Sequence, residues 1–461
     1  MTVTLEGPPD WMLAEAGVES AIERGRGCVR PIRLRGARHL VNTQTGEMTK
    51  VYSSADELDG TTYVKCGNRR AAVCPTCSHE YKGDAWHLFM CGLAGGKGVP
   101  ESVATHPCTF ATLTAPSFGA VHGVRDKGPC RARRDKPVCE HGRPLWCNKR
   151  HRDDDPRLGE PLCVDCYDYT AHVVWQWNAP ELWRRFCIAL QRELARHCRL
   201  PVKAFRERCV IAYSKVVEFQ LRGAVHVHAP IRLDGPDGAD GPAPDLPITT
   251  RDLEDAIQAA VAKVSLDAAP LRDGTVHRLH WGRQIDTRSI TDTADRDSAR
   301  RATLVHPEQV AAYLAKYLTK TTEEFGLPTK VKSAAYARAA GASPHAVRII
   351  RAAEEVARQG EDYERLSHNF STLGYRGHPI TKSRRYSINF GHLRRARRLH
   401  KSRPAGLEPD ADVRLVLDVD DDSPDGFEMV SSFVFVGQGY LDLDQAAAAV
   451  RAAALSRTRP G

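Results

Sequence analysis

Residues 208–234 read "RCVIAYSKVVEFQLRGAVHVHAPIRLD", and the fold turns on how they are read. β-Branched and aromatic residues fill both halves, and Arg222-Gly223 marks a tight turn between them. The stretch therefore predicts two antiparallel strands. Alternation along a strand sends successive side chains to opposite faces. His226 and His228 thus share one face while Val227 points the other way. Two imidazoles side by side make half of a metal site. Glu218 in "KVVEFQ" lies on the first strand of the hairpin and is the candidate third ligand. A bulge at Gly223 would turn Gln220 to that face instead.

Outward from the hairpin, elements of both kinds alternate. "HPCTFATLTAPSFG" (106–119) suits a strand, and "APELWRRFCIALQRELARHC" (179–198) a helix with Pro near its first turn. "TTRDLEDAIQAAVAKVSL" (249–266) has helix-start signals, "GTVHRLHWGRQIDTRSI" (274–290) reads as one strand, and "HPEQVAAYLAKYLTKTTEEFG" (306–326) is a helix stopping at Gly. Residues 80–94 predict a further helix, and a strand pair surrounds "TQTGE" (43–47). The order predicts an α+β fold, a sheet with helices packed on it. His277, His280 and Asp286 read as ordinary strand residues.

The 461-residue chain is long enough for several cores, carries 27% charged residues and has net charge +9. It has no apolar run long enough to span a bilayer, and its start lacks the basic and apolar regions of a secretory signal, so a cytoplasmic protein without membrane partners is expected. From Lys382 to Arg403 there are many cations and no carboxylate. Lys382, Arg384, Arg385, Arg394, Arg395, Arg397 and Arg398 are the candidate phosphate-gripping residues. "GYRGHPITKSRRYS" (374–387), with aromatics among cations, reads as a surface for phosphates and bases. "GLAGGKGVP" (92–100) lacks the spacing of a phosphate loop, so no ATPase module is read and unwinding falls to a host helicase.

In "YLAKYLTK" (313–320), Tyr313 and Tyr317 are four apart, as are Lys316 and Lys320. That spacing gathers phenols and ammonium groups on one helical face. Tyrosine is a weak nucleophile, but it attacks a phosphodiester when a divalent cation polarises the phosphate and nearby lysines spread the developing charge. Neutral imidazoles plus a carboxylate suit such an ion.

Fourteen cysteines in a chain expected to be cytoplasmic point to thiolate metal sites rather than disulfides. Cys74 and Cys77 form a C-x-x-C with Cys66 eight residues earlier, a zinc pattern whose fourth ligand comes from His79, His87, Cys91 or elsewhere. Cys139, Cys147, Cys163 and Cys166 form a second, ribbon-like set, with Cys130 and His141 as substitutes. One or two structural Zn²⁺ ions are thus expected. Cys187, Cys198 and Cys209 read as core residues.

"FATLTAP" (110–116), "HVH" and the doubled Tyr-x-x-Lys, in this order, resemble the motifs of HUH rolling-circle replication initiators. The paired tyrosines resemble those of bacteriophage gene A proteins. "RCVIAYSKVVEFQLRGAVHVH", "CVDCYDYTAHVVW", "WGRQID" and "GYRGHPITKSRRYS" are closer still to RepSA-type initiators of actinomycete plasmids and integrative elements. The resemblance covers roughly residues 60–400. It implies an HUH endonuclease fold with an antiparallel central sheet, flanking helices and inserted zinc modules. It also implies Mg²⁺- or Mn²⁺-dependent nicking of one strand of origin DNA, single-stranded at the nick. Tyr313 or Tyr317 would stay on the 5′ phosphate while the 3′ hydroxyl primes synthesis by the host replication machinery. The organisation expected is a lead of unknown role (1–60), a zinc-binding segment (61–105), a nicking domain (106–325) with an insertion at about 125–168, a basic helical DNA-binding region (326–405), and an acidic linker and tail (406–461). An HUH transposase, a relaxase and a non-enzymatic zinc-containing DNA-binding regulator are the alternatives.

Overall fold

The computed structural model describes residue 25 and residues 27–57, 59–133, 138–290, 304–319, 322–394, 427–441 and 443–458. The chain divides into two compact units, one made of residues 1–85 with 389–461 and the other of residues 86–388. In the first unit, Ala37–Asn42 and Met48–Ser53 form the hairpin expected about "TQTGE". Its outer edge is filled by Phe427–Ser431, and Val434–Gln438 pairs with Ile32–Arg35. The C-terminal stretch is thus not only a linker and tail. Its "FEMVSSFVFVGQ" is rich in aromatic and β-branched residues, as strands are, but the strands it pairs with lie at the far end of the chain, where a local reading cannot see them.

The second unit is built on a six-stranded sheet. Its strands are β1 (Cys108–Thr114), β2 (Val210–Phe219), β3 (Val225–Asp234), β4 (Ile285–Ile290), β5 (Leu304–Val305) and β6 (Ile380–Lys382). The spatial order is β5-β4-β1-β3-β2-β6, antiparallel except for β4 with β5. Helices α1 (Tyr169–His197), α2 (Thr250–Lys263), α3 (Pro307–Thr319) and α4 (Pro344–Ala357) complete the mixed α+β fold. The stretch read as one strand over 274–290 is broken. Arg278–His280 pairs with Ser265–Asp267, and β4 restarts in the main sheet. Gly282 makes this crossing feasible, since a Cβ there would sit 2.6 Å from the Ala115 carbonyl oxygen. The region from 326 is not purely helical either, because residues 380–382 are the edge strand β6. No helix among the described residues is long and apolar enough to cross a membrane.

One face of the sheet is apolar. Ala111, Leu113, Val217, Val227 and Ala229 are buried in a core shared with α1, α2 and α4. Cys209 is fully in that core, while Cys187 and Cys198 pack at its edge. The hairpin between β2 and β3 is closed by a turn in which Gly223 N–H donates to the Gln220 carbonyl (2.7 Å) and Gln220 N–H to that of Ala224 (2.9 Å). Gly223 has φ +79°, a left-handed conformation that closes short hairpin loops and suits glycine. Gln176, fully buried on α1, grips this turn. Its amide donates to the Gly223 and Leu373 carbonyls (3.0 Å each), and its oxygen accepts from Val225 N–H (2.9 Å). Each buried backbone group left unpaired costs about 1–3 kcal/mol. We therefore expect Gln176→Leu to destabilise the protein by about 3 kcal/mol or more, read as a lowered denaturant midpoint. A loss below about 0.5 kcal/mol, typical of an uninvolved surface site, would remove the clamp from this account.

Candidate metal and tyrosine site

The other face of the sheet is polar, and strand register makes it so. Glu218 pairs directly with His226 across the β2–β3 hairpin, and Thr112 and Thr114 of β1 pair with His228 and His226. Directly paired residues of an antiparallel ladder show their side chains on the same face. Asp286 and Arg288 of β4, opposite Thr112 and Phe110, join them. Val227, between the two histidines, goes to the core.

This arrangement answers the choice between Glu218 and Gln220. A ligand nitrogen of each histidine and a Glu218 carboxylate oxygen lie within 4.8 Å of one another, and together they could hold a metal ion. Gln220 is occupied elsewhere, its Oε1 accepting from Arg222 Nε at 2.9 Å. His228 Nε2 is 2.9 Å from Glu218 Oε2, and its Nδ1 is 3.1 Å from Thr112 Oγ1. With a proton on Nδ1 shared toward Thr112, the Nε2 lone pair is free to ligate. The buried His226 Nε2 has no hydrogen-bond partner in the protein, a cost that a metal ion would remove. Burial, then the neighbouring His228 and Arg222, pushes the His226 pKa down to about 3, so its ring is neutral at ordinary pH. The donor set and the unpartnered nitrogen therefore fit a hard-to-borderline divalent cation.

Helix α3 lies beside this face. Val310, Ala311, Leu314, Ala315 and Leu318 form its buried stripe, three and four residues apart. Tyr313 and Tyr317 flank the stripe on the histidine side. The Tyr313 hydroxyl is 3.3 Å from His228 Nε2, and the two phenol rings are 4.6 Å apart between centroids. Tyr317 lies 6.1 Å from the His228 ring, and the Lys316 ammonium is 5.7 Å from the Tyr317 ring centre. Burial first, then the Glu218 charge and Tyr317, pushes the Tyr313 pKa up, so its phenol is protonated near neutrality. Phe110 stacks on His228 and meets Tyr313 edge-on. A cavity of about 570 Å³ opens between them, with Gln284, Asp286, Arg288 and Gln309 on its wall. Asp286 thus lines the site, whereas His280 belongs to the separate strand pair. Thr112, at an alternate position of "FATLTAP", carries no spacing signal beyond the period of the strand. Lys320 lies outside the described residues.

Among the described residues, nine of the fourteen cysteines gather into three groups, each with its ligand atoms within 4.8 Å. Cys66, Cys74 and Cys77 are joined by Cys28 rather than by His79, His87 or Cys91. Cys74 Sγ is 3.7 Å from Cys28 Sγ, and Cys66 Sγ is 3.6 Å from Cys77 Sγ. A lone cysteine in an unassigned lead carries no spacing signal. The second set requires correction. Cys139, Cys163 and Cys166 are joined by His141, whose Nδ1 is 3.3 Å from Cys166 Sγ, while Cys147 lies with His122, Cys130 and His151. Backbone pairing of Cys147 with Arg131 brings its segment alongside that of Cys130, and the two side chains join one group. Cys147 and His151 form a C-x₃-H spacing that would have signalled this.

The basic block divides as well. Arg384 is exposed, whereas the Lys382 ammonium donates to the Ser387 carbonyl at 2.9 Å, and burial lowers its pKa. Arg385 donates to the Pro236 carbonyl. Arg394 stands at a cavity of the first unit with Glu80 and Asp84. Arg395, Arg397 and Arg398 lie outside the described residues. The reading of 374–387 as a base-stacking surface is corrected for its tyrosines: Tyr375 and Tyr386 are buried, so their rings are core.

The chain matches the family model RepSA, described as "Replication initiator protein, pSAM2", over residues 15–454. A replication initiator protein of Streptomyces ambofaciens is 36% identical over 448 residues, covering 96% of this chain and 90% of that protein. No solved structure matches the chain. With a family model spanning nearly its whole length and a relative this similar, the chain belongs to the RepSA family of replication initiator proteins.

Proposed function

We propose that the protein starts rolling-circle replication by nicking one strand of its origin DNA with a tyrosine, within an HUH-type fold. The observation that carries this reading is the Tyr313 hydroxyl 3.3 Å from His228 Nε2, at the edge of a His–His–Glu set. His226, His228 and Glu218 would hold Mg²⁺ or Mn²⁺, which would polarise the scissile phosphate and offset the Glu218 charge that adds to burial in raising the Tyr313 pKa. Tyr313 Oη then gives up its proton to solvent and attacks phosphorus. A phosphotyrosine bond forms on the 5′ side, the bond to the 3′ oxygen breaks, and that oxygen leaves as the 3′ hydroxyl after taking up a proton. Thr112 fixes the His228 tautomer, and Lys316 adds positive charge beside Tyr317. Tyr317, in ring contact with Tyr313, would make a second cut when the origin is regenerated, followed by rejoining. Zinc in the Cys28–Cys66–Cys74–Cys77 and Cys139–His141–Cys163–Cys166 groups would be structural. Duplex unwinding is left to a host helicase.

Three outcomes test this reading. Incubated with Mn²⁺ and end-labelled single-stranded origin DNA, the wild-type chain should form a covalent adduct that survives a denaturing gel. Tyr313→Phe should reduce it strongly and the double Tyr313→Phe/Tyr317→Phe variant should abolish it. Tight binding with no adduct from any origin fragment would make the protein a regulator. Thr112→Val should raise the Mn²⁺ concentration needed for half-maximal nicking by about 10–100-fold, with DNA affinity retained; an unchanged metal requirement would leave Thr112 without that role. Finally, Arg384→Ala should weaken binding to all DNA sequences and flatten the logarithmic salt dependence by about 1. Weakened binding to origin sequence alone would mean that Arg384 reads bases.

A further inference from the structure

The group of His122, Cys130, Cys147 and His151 matches neither zinc set expected from the sequence, which placed Cys147, with Cys130 as a substitute, alongside Cys139, Cys163 and Cys166. Three of its members are buried, and His122 is half-buried. His122 Nδ1 is 3.2 Å from His151 Nε2, Cys147 Sγ is 3.4 Å from the same Nε2, and Cys130 Sγ is 3.8 Å from His122 Nδ1. Two thiols and two ring nitrogens thus converge on one point. A disulfide between the two cysteines would leave both imidazoles aimed at it without purpose. The surroundings are those of a ligand set. His151 Nδ1 is 2.6 Å from Asp155 Oδ2, and Arg157 donates to both oxygens of that carboxylate (3.1 and 2.7 Å). A carboxylate on the far nitrogen fixes the tautomer that presents Nε2 and raises its basicity. Gly123 N–H, 3.3 Å from Cys130 Sγ, favours the thiolate. Two sulfurs and two nitrogens without an open carboxylate are a structural zinc set.

The backbone carrying these ligands leans on the nicking hairpin. His122 N–H donates to the Glu160 carbonyl and Gly159 N–H to that of His122, both at 2.9 Å. Gly159, with φ +84°, lies so close to the hairpin turn that a Cβ on it would fall 2.1 Å from the Leu221 carbonyl oxygen. The Glu160 carboxylate accepts from His345 N–H (3.3 Å), and His345 Nε2 is 3.0 Å from the Arg222 carbonyl. Arg222 in turn donates to the Pro116 and Ala115 carbonyls (2.7 and 2.9 Å) at the end of β1.

We propose that His122, Cys130, Cys147 and His151 form a zinc site of their own, so that the 120–167 insertion is a two-zinc module bracing the turn of the β2–β3 hairpin. The inference is independent of whether the protein nicks DNA. Full-length protein purified without chelator should contain three zinc ions per chain by elemental analysis. Cys130→Ser/Cys147→Ser should contain two, and its amide exchange at residues 220–224 should rise at least about tenfold as the turn opens more often. Two zinc ions in the wild type, or three in the double variant, would overturn the site. Unchanged exchange at the turn would overturn the brace. Should the double variant fail to fold, Asp155→Ala keeps all four ligands. One of its three zinc ions should then pass to a chromogenic chelator about 10–100-fold faster than in the wild type, and release of all three at the wild-type rate would equally overturn the site.

Discussion

Three hydrogen bonds from one buried amide set the position of everything else in the site. Gln176 reaches from the first half of α1 to the Gly223 carbonyl and Val225 N–H, which lie at the hairpin turn, and to the Leu373 carbonyl. Val225 is one residue before His226. Fixing its backbone fixes where the ladder begins, and a slip of one residue would send both histidines to the core and Val227 to the polar face. The cost of leaving three buried backbone groups unpaired makes that slip unfavourable.

The far end of the same strand is held by charge. Arg232 and Asp234 are fully buried; Arg232 donates through two nitrogens to both Asp234 oxygens, at 2.6 and 2.9 Å, and His106 Nδ1 lies 2.8 Å from the same carboxylate. Although burial alone would raise it, these partners hold the Asp234 pKa below the ordinary carboxylate range. Arg232 Nη2, one of those two nitrogens, also donates to the Tyr386 carbonyl at 3.2 Å, tying β3 to the segment after β6. A buried ion pair of this kind favours a single register over added stability, because removing either partner strands the other without water. Between an amide clamp at one end and an ion pair at the other, β3 has little freedom.

The cysteine and histidine groups extend this logic to parts of the chain with few apolar residues. The described residues of the 120–167 insertion pair through isolated bridges rather than strands, and backbone pairing alone would not hold them. Clusters of thiols and imidazoles provide fixed points there, and the glycine at 159 lets it close on the hairpin turn.

Much of the site was legible because it rests on local periodicity. A spacing of two put His226 and His228 on one strand face, a spacing of four put Tyr313 and Tyr317 on one helical face, and each C-x-x-C announced half of a metal group. What the sequence could not supply were partners distant along the chain. Cys28 completes a group with residues 66–77, His122 and Cys130 meet Cys147 and His151 apart from Cys139, and strands near residue 430 fill sheets begun near residue 32. Tyr375 and Tyr386 read as exposed aromatics among cations, but the packing of the second unit buried both. By itself the sequence determined which residue types face the same way within each element. Tertiary structure decided which elements meet, because that choice depends on register, buried hydrogen bonds and ligand geometry between segments that local spacing does not connect.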